Sequence, residues 1–449
     1  MRGDVTEHAS LRERATGALD ASRRSFGFLT GVAMLAGLVG GFALPSLDAA
    51  LDVDLPVFDF AGQDVARSLL QTVATATVSV AGLSFSVTVV AFTLASSQLS
   101  PRVLRTFSAD RLSQATLACL LGTFIYCLAV LVRLGSAADG GAVPNLSVTL
   151  AMLLAFVAFV MFAAFIAHIV HMLQPSSIIE DIGKTGRAAL EQRYPDQVGS
   201  EPEDATAAER DVLARRAAGP GVPVISESEG YLSMLRGMEV LSAGAESDGL
   251  VVQRVLIGDY VTLGTPLAEV WCADEGDREG LVEAVQKAFV LGSQRTPVQD
   301  AAFPVRQLAD IALKGLSPGI NDPTTAENAM EALSSLLVRF ATGPRASPRR
   351  ADEEGVVRFI ALAVELDDLV RLGFEQVRVF AAPYPVFARR LLTLLKRIED
   401  AAHRGGVRCS EPARQAALIS EGPDGEVPTH ADVQTVRAEH ARHWVPPRG

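Results

Sequence analysis

Ser68, Thr72, Thr75, Ser79, Gly82, Ser86, Thr93 and Ser97 recur at spacings of three, four or seven within one apolar stretch. On a helix such spacing draws a single stripe of small, mostly hydroxyl-bearing positions. Hydroxyls can replace part of the hydration shell of an ion or small solute without imposing a fixed charge. They can equally bond the carbonyl one turn back and let helices approach closely. Pore lining and packing are therefore both open readings. Val89 and Val90 interrupt the stripe and would form an apolar constriction that closes by dewetting. The candidate pore-lining positions are Thr72, Thr75, Ser79, Ser86, Val89, Val90, Thr93 and Ser97; Thr77, Ser84 and Thr88 fall off the stripe. No Asp, Glu, Lys or Arg occurs between Leu69 and Leu99, so no carboxylate is available there for a proton relay.

A second constellation lies late in the chain, in "FVLGSQRTPVQDAAFPVRQLADIALKGLSPGINDPTTA". Arg295, Asp300, Asp310, Asn321 and Asp322 read as an ion-pair and capping network around tight helix junctions, with Pro318 and Gly319 shaping a turn. Asp322 precedes Pro323 and is placed to cap a helix starting there. The alternative is a ligand site in which Arg295 and Lys314 hold an anion. Two histidine pairs, His168/His171 and His440/His443, have the spacing that puts imidazoles on one helix face, but neither has a visible third metal ligand. Motifs of the forms GxxxxGK[ST], HExxH and GxSxG are absent, and no nucleophile–base constellation can be named. No enzyme, cofactor or metal is expected. Cys119, Cys127, Cys272 and Cys409 form no CxxC pair, which argues against structural zinc and a disulfide framework.

The elements carrying the stripe must sit in a bilayer. Of 449 residues, 49% are hydrophobic and only 20% charged, with mean hydropathy +0.26. That is too apolar for an ordinary water-soluble chain. The net charge of −12 argues against a nucleic-acid partner. Four apolar runs, Phe26 to Leu44, Leu69 to Leu94, Leu117 to Leu134 and Val148 to Met172, can each supply about 20 helical residues, enough for a hydrocarbon core of roughly 30 Å. The first is too long for a signal peptide and lacks a small-x-small cleavage site, so it reads as a retained helix. It carries Gly27, Gly31, Gly37 and Gly41, two GxxxG spacings that permit close backbone approach.

Arg2, Arg12, Arg14, Arg23 and Arg24 precede the first run, whereas Asp48, Asp52, Asp54, Asp59 and Asp64 follow it against Arg67 alone. Arg102, Arg105 and Arg111 lie in the next loop and Asp139 in the one after. This alternation predicts both termini in the cytoplasm. Arg133 dissents, and is expected to snorkel to the outer interface.

The chain divides into a cytoplasmic segment (1–24), a four-helix transmembrane domain (25–172), an amphipathic connector and linker (173–222), a small β-rich module (223–271), a helical or mixed cytoplasmic domain (280–403) and a peripheral tail (404–449). Pro175 marks where the fourth apolar helix yields. Arg187 to about Gly221 reads as a loop or linker. In the β-rich module, "GDYVTLGTPLAEV" resembles the turn and strand of a biotinyl/lipoyl barrel, although the module has no lysine to modify. Helices are expected at about Gly280–Leu291, Pro304–Gly315 and from Pro323. "YPVFARRLLTLLKRIEDAAHR" is amphipathic, apolar on Phe387, Leu391, Leu394 and Leu395. "THADVQTVRAEHARHW" reads as a solvated, partly helical tail. The expected fold class is thus an α-helical transmembrane bundle of four helices, followed by an α+β cytoplasmic region with a β-rich and a helical module.

The long string ending in "LSPGINDPTTA", with "SVAGLSFSVTVVAFTLASSQLSPRVLRTFSADR" and "LGTFIYCLAVL", resembles the signature of the uncharacterised predicted membrane protein family DUF2254, from about residue 25 to about residue 400. The resemblance implies a bacterial inner-membrane protein with four membrane helices and a cytoplasmic C-terminal part. It implies no activity, cofactor or substrate. The two functional readings are a homo-oligomeric channel or transporter for ions or small solutes, regulated by its cytoplasmic domain, and a non-transporting structural, sensory or scaffold membrane protein. Four helices are few for a complete path in one chain, so a homo-oligomer is expected.

Overall fold

The structure, a computed structural model, describes residues 26–51, 62–98, 111–136, 145–192, 194–344, 347–421 and 429–444. The chain forms two compact units, Met1–Ser177 and Ile178–Gly449.

In the first unit, four apolar helices are long enough to cross a membrane. They are α1 (Phe26–Leu51), α2 (Gln63–Gln98), α3 (Arg111–Ser136) and α4 (Asn145–Met172). Each extends beyond its apolar run, because polar residues at membrane ends continue a helix at little cost. Half of the α3 span is buried, against 11–22% for the others, so α3 is the centre of the packing. Gly37 and Gly41 of α1 explain one close approach. A Cβ on Gly37 would lie 2.4 Å from the Gly122 carbonyl oxygen, and one on Gly41 2.5 Å from the Ala129 Cβ. Gly27 and Gly31 face open space, so only the second GxxxG spacing is used within the chain.

One end of the bundle is tied by polar contacts. Asp48 accepts from the amides of Leu146 (3.0 Å) and Ser147 (3.4 Å), capping α4 from the end of α1. Tyr126 donates its hydroxyl proton to the Ser147 carbonyl. Arg133 is exposed and donates to Ser46 at this same end. It thus lies at the same end of the bundle as Asp48.

The second unit begins within α5 (Pro175–Gln192), followed by α6 (Ala205–Ala217). The interval expected to be a linker therefore contains a helix. Asp204 caps it by accepting from Thr206 and Ala207, and Ala208 and Val212 pack against Leu250, Val252 and Val357. Then come β1 (Val222–Ile225), β2 (Gly230–Leu235), α7 (Gly237–Glu246), β3 (Leu250–Gln253), β4 (Tyr260–Val261), β5 (Pro266–Trp271), α8 (Glu275–Ala288) and β6 (Phe289–Gly292). The chain continues through α9 (Ala302–Gly315), α10 (Pro323–Thr342), β7 (Arg349–Ala351), β8 (Val357–Ile360), α11 (Leu366–Ala381), α12 (Pro385–Arg404), α13 (Glu411–Ser420) and α14 (His430–Trp444).

Two sheets form, with orders β1-β5-β3-β8-β7 and β4-β2-β6. The expected module at 223–271 is incomplete alone: β6 closes the smaller sheet, and β8 pairs parallel to β3. Their shared core includes Val224, Leu232, Val251, Leu267, Val285 and Phe359. Beside the sheets, α12 buries Phe387, Leu391, Leu394 and Leu395 as its periodicity predicts. The final stretch is not the solvated tail expected. In α14, Val433 and Val436 are buried, the helix packs along α12, and Lys396 lies over the Trp444 ring.

Candidate functional sites

The hydroxyl stripe lies on α2 and faces away from the rest of its own chain. Thr72, Thr75, Ser79, Gly82, Ser86, Val89, Val90 and Thr93 are all exposed, whereas Ala66, Leu70, Ala74, Thr77, Ala81, Ser84 and Ala91 are buried. At about 100° per residue the two sets fall on opposite sides of the helix. The packed face is thus small and aliphatic, with the off-stripe Thr77 and Ser84 among it. The stripe is not packing within this chain. Three of its hydroxyls donate one turn back: Thr72 to Ser68 O (2.7 Å), Ser79 to Thr75 O (2.7 Å) and Thr93 to Val89 O (2.8 Å). Each donor is satisfied inside the helix, and each oxygen keeps acceptor capacity. The side chain of Ser97, and the residues Asp59, Arg102 and Arg105, lie outside the described residues.

The polar residues of the late signature separate into groups along α9. At its start, Arg295 holds Asp300 through two hydrogen bonds of 2.7 and 2.9 Å. Asp300 also accepts from the amides of Ala302 and Phe303, satisfying first-turn donors. Arg295 stacks over the Phe303 ring. Burial pushes the Asp300 carboxyl up from its ordinary value, against the pull of Arg295 and the amides. Gly258 makes room for the pair. Its φ is +96°, and a Cβ there would lie 2.2 Å from Asp300 Oδ2. Farther along, Asp310 pairs with Arg306 at 3.0 Å.

At the other end of α9, Lys314 sits in the last turn. Asn321 has φ +50° and accepts from the Tyr384 hydroxyl. Asp322 caps α10 by accepting from the Thr325 amide and hydroxyl. Those bonds hold its carboxyl below the usual range. Arg295 and Lys314 are at opposite ends of α9, on the order of 20 Å apart along its axis, so they are not brought together around one anion. At these two ends Asp300 and Asp322 act as helix caps. Asp322→Ala is expected to cost about 1 kcal/mol of stability in equilibrium denaturation. Because folding lowers this pKa, that contribution is present above the ordinary aspartate range and is lost as pH falls through it.

A cleft with a volume of about 1210 Å³ opens beside the Arg295–Asp300 pair, between the sheets and the helices of the second unit. Arg187, Arg339 and Arg408 also line it. These three arginines have no local signal in the sequence, because they come from two distant helices, α5 and α10, and the loop after α12, and share no motif. Among the described residues no group of three or more His, Cys, Asp or Glu side chains is placed to hold a metal ion.

The chain matches the predicted membrane protein family DUF2254 over residues 23–397. It is 28% identical over 368 residues to the uncharacterized proteins Mb1321c of Mycobacterium bovis and Rv1290c of Mycobacterium tuberculosis. These alignments cover 79% of this chain and 66% of each relative, so the chain spans just under two thirds of the relatives' length. No solved structure matches. With four apolar spanning helices and a family match over most of its length, this multi-pass membrane protein belongs to the DUF2254 family.

Proposed function

We propose that the protein is a homo-oligomeric channel or transporter for ions or small solutes, regulated by its C-terminal unit in the cytoplasm of a bacterial cell. The observation that carries this reading is the outward hydroxyl face of α2. A helix facing only lipid gains nothing from such a stripe, since lipid leaves its hydroxyls only the carbonyls of their own helix as partners. Copies arranged around a closed symmetry axis would turn these faces toward one another and a hydrated path. Val89 and Val90, exposed on the same side, supply the apolar constriction. Charge alternation supports an inner-membrane orientation with both termini cytoplasmic.

Cysteine scanning from Thr72 to Thr93, in a background lacking the native cysteines, tests the path. Labelling by a water-soluble thiol reagent is expected at Thr72, Thr75, Ser79, Ser86 and Thr93, with protection at Ala74, Thr77, Ala81 and Ser84. Protection at every membrane-depth position in folded, membrane-embedded protein would overturn the pore. Disulfide trapping between copies at those protected stripe positions would identify the face as packing in a non-transporting assembly.

A further inference from the structure

We propose that the cleft of the second unit binds a phosphate ester of nucleotide size. Its volume of about 1210 Å³ exceeds the roughly 300–1,000 Å³ of ordinary small-molecule pockets. Close packing brings its basic residues into one region. A Cβ on Gly186 would lie 2.7 Å from Leu336, which docks α5 against α10 and sets Arg187 near the α10 end that bears Arg339. A Cβ on Gly405 would meet the Ala341 carbonyl, which brings the segment carrying Arg408 to that same end.

The charges of the cleft are unevenly committed. Asp300 is held by Arg295, and Asp368 by Arg371. Asp367 accepts from the Cys409 thiol and the amides of Ser410 and Glu411, and Asp259 from the Leu256 amide. Among the described residues, Arg187 and Arg408 have no side-chain partner, nor does Glu365. Guanidinium groups lining one cleft from separate segments match the several oxygens and double charge of a phosphate better than a single carboxylate. Tyr194, Phe340 and Leu362 give the same cleft aromatic and apolar wall for the body of the ligand, and Glu365 can accept from its hydroxyl or amino donors. This assignment stands whether or not the membrane helices conduct.

The phosphate can come from a soluble nucleotide or a lipid headgroup. The test uses the full chain in nanodiscs and follows its thermal unfolding. One arm adds ATP, adenosine or pyrophosphate to discs of phosphatidylcholine; the other replaces part of the lipid with phosphatidylglycerol and adds nothing. Stabilisation by ATP, weaker with pyrophosphate and absent with adenosine, is the expected result. Arg187→Ala and Arg408→Ala are each expected to weaken ATP binding about tenfold or more. Stabilisation by phosphatidylglycerol alone, lost in both variants, would assign the phosphate to lipid. No stabilisation in either arm, or stabilisation unchanged in both variants, overturns the proposal.

Discussion

Asp300→Ala is expected to destabilise the second unit by about 2–4 kcal/mol, while leaving the membrane helices folded. Breaking a buried ion pair by removing one partner typically costs about 3–5 kcal/mol. The lower range applies because Arg295 keeps 22% side-chain exposure and can turn toward water, whereas Asp300 keeps 1%. The carboxylate also accepts from the Ala302 and Phe303 amides, so its loss uncaps α9. Both tryptophans of the chain, Trp271 and Trp444, lie in the second unit. Their fluorescence during denaturant unfolding therefore reports this unit selectively. An effect below about 0.5 kcal/mol, the range of an ordinary surface substitution, would show that the pair does not anchor the junction.

Arg295→Ala removes the other half of the pair, and its loss is expected to depend on pH. Burial already raises the Asp300 pKa, and Arg295 is the largest of the groups that pull it down, ahead of the Phe303 and Ala302 amides. Without Arg295 the folded-state value rises further above the unfolded one. The native state then binds the extra proton, so stability is retained below the unfolded value and lost as pH rises through the folded value. The deficit of Arg295→Ala relative to the parent should therefore be larger at pH 7 than at pH 4.5. The same tryptophan signal reads both.

How far the sequence revealed this molecule depended on whether each signal was local. The membrane helices were legible because burial in lipid demands a long apolar run, a signal contained within each helix. The α10 start was legible because Asp322, Pro323 and Thr325 form a local cap. The sheets were only half legible. The β3–β8 pairing joins Val251 to Phe359, and the short strand Val357–Ile360 carries no mark of its distant partner. The helix α6 and the packing of α14 were not legible for a different reason. Each buries two apolar side chains, amid charged residues that read as a solvated segment. The α2 stripe was visible as a pattern, but its direction was not, because periodicity defines a face without saying what it faces. The cleft arginines had no local signal at all: Gly186 and Gly405 bring their segments together only in the folded unit.

The two glycine pairs of α1 illustrate the same limit, and they yield the largest expected effect in the membrane unit. Gly37→Val is expected to destabilise the α1–α3 contact by about 3 kcal/mol, the upper part of the overpacking range. The new Cβ would lie 2.4 Å from the Gly122 carbonyl oxygen and 3.2 Å from the Tyr126 amide. Both are backbone atoms of α3, which cannot rotate aside as a flexible side chain would, so α1 must move away. Cys127, fully buried in the packing of α3, provides a readout in a background where Cys119, Cys272 and Cys409 are serine. Its labelling by a thiol reagent should follow the opening equilibrium of the bundle. A loss of 3 kcal/mol corresponds to an acceleration of about 100-fold. Gly31→Val is the matched control, because no atom lies within 4 Å of its Cβ position. It should leave Cys127 labelling nearly unchanged. If both variants accelerate labelling equally, valine acts through general loss of helix fit in the bilayer, and the close Gly37–Gly122 approach is not what holds α1. If only Gly37→Val does so, the Gly37–Gly41 face is committed within the chain, leaving the Gly27–Gly31 face free for contacts between copies.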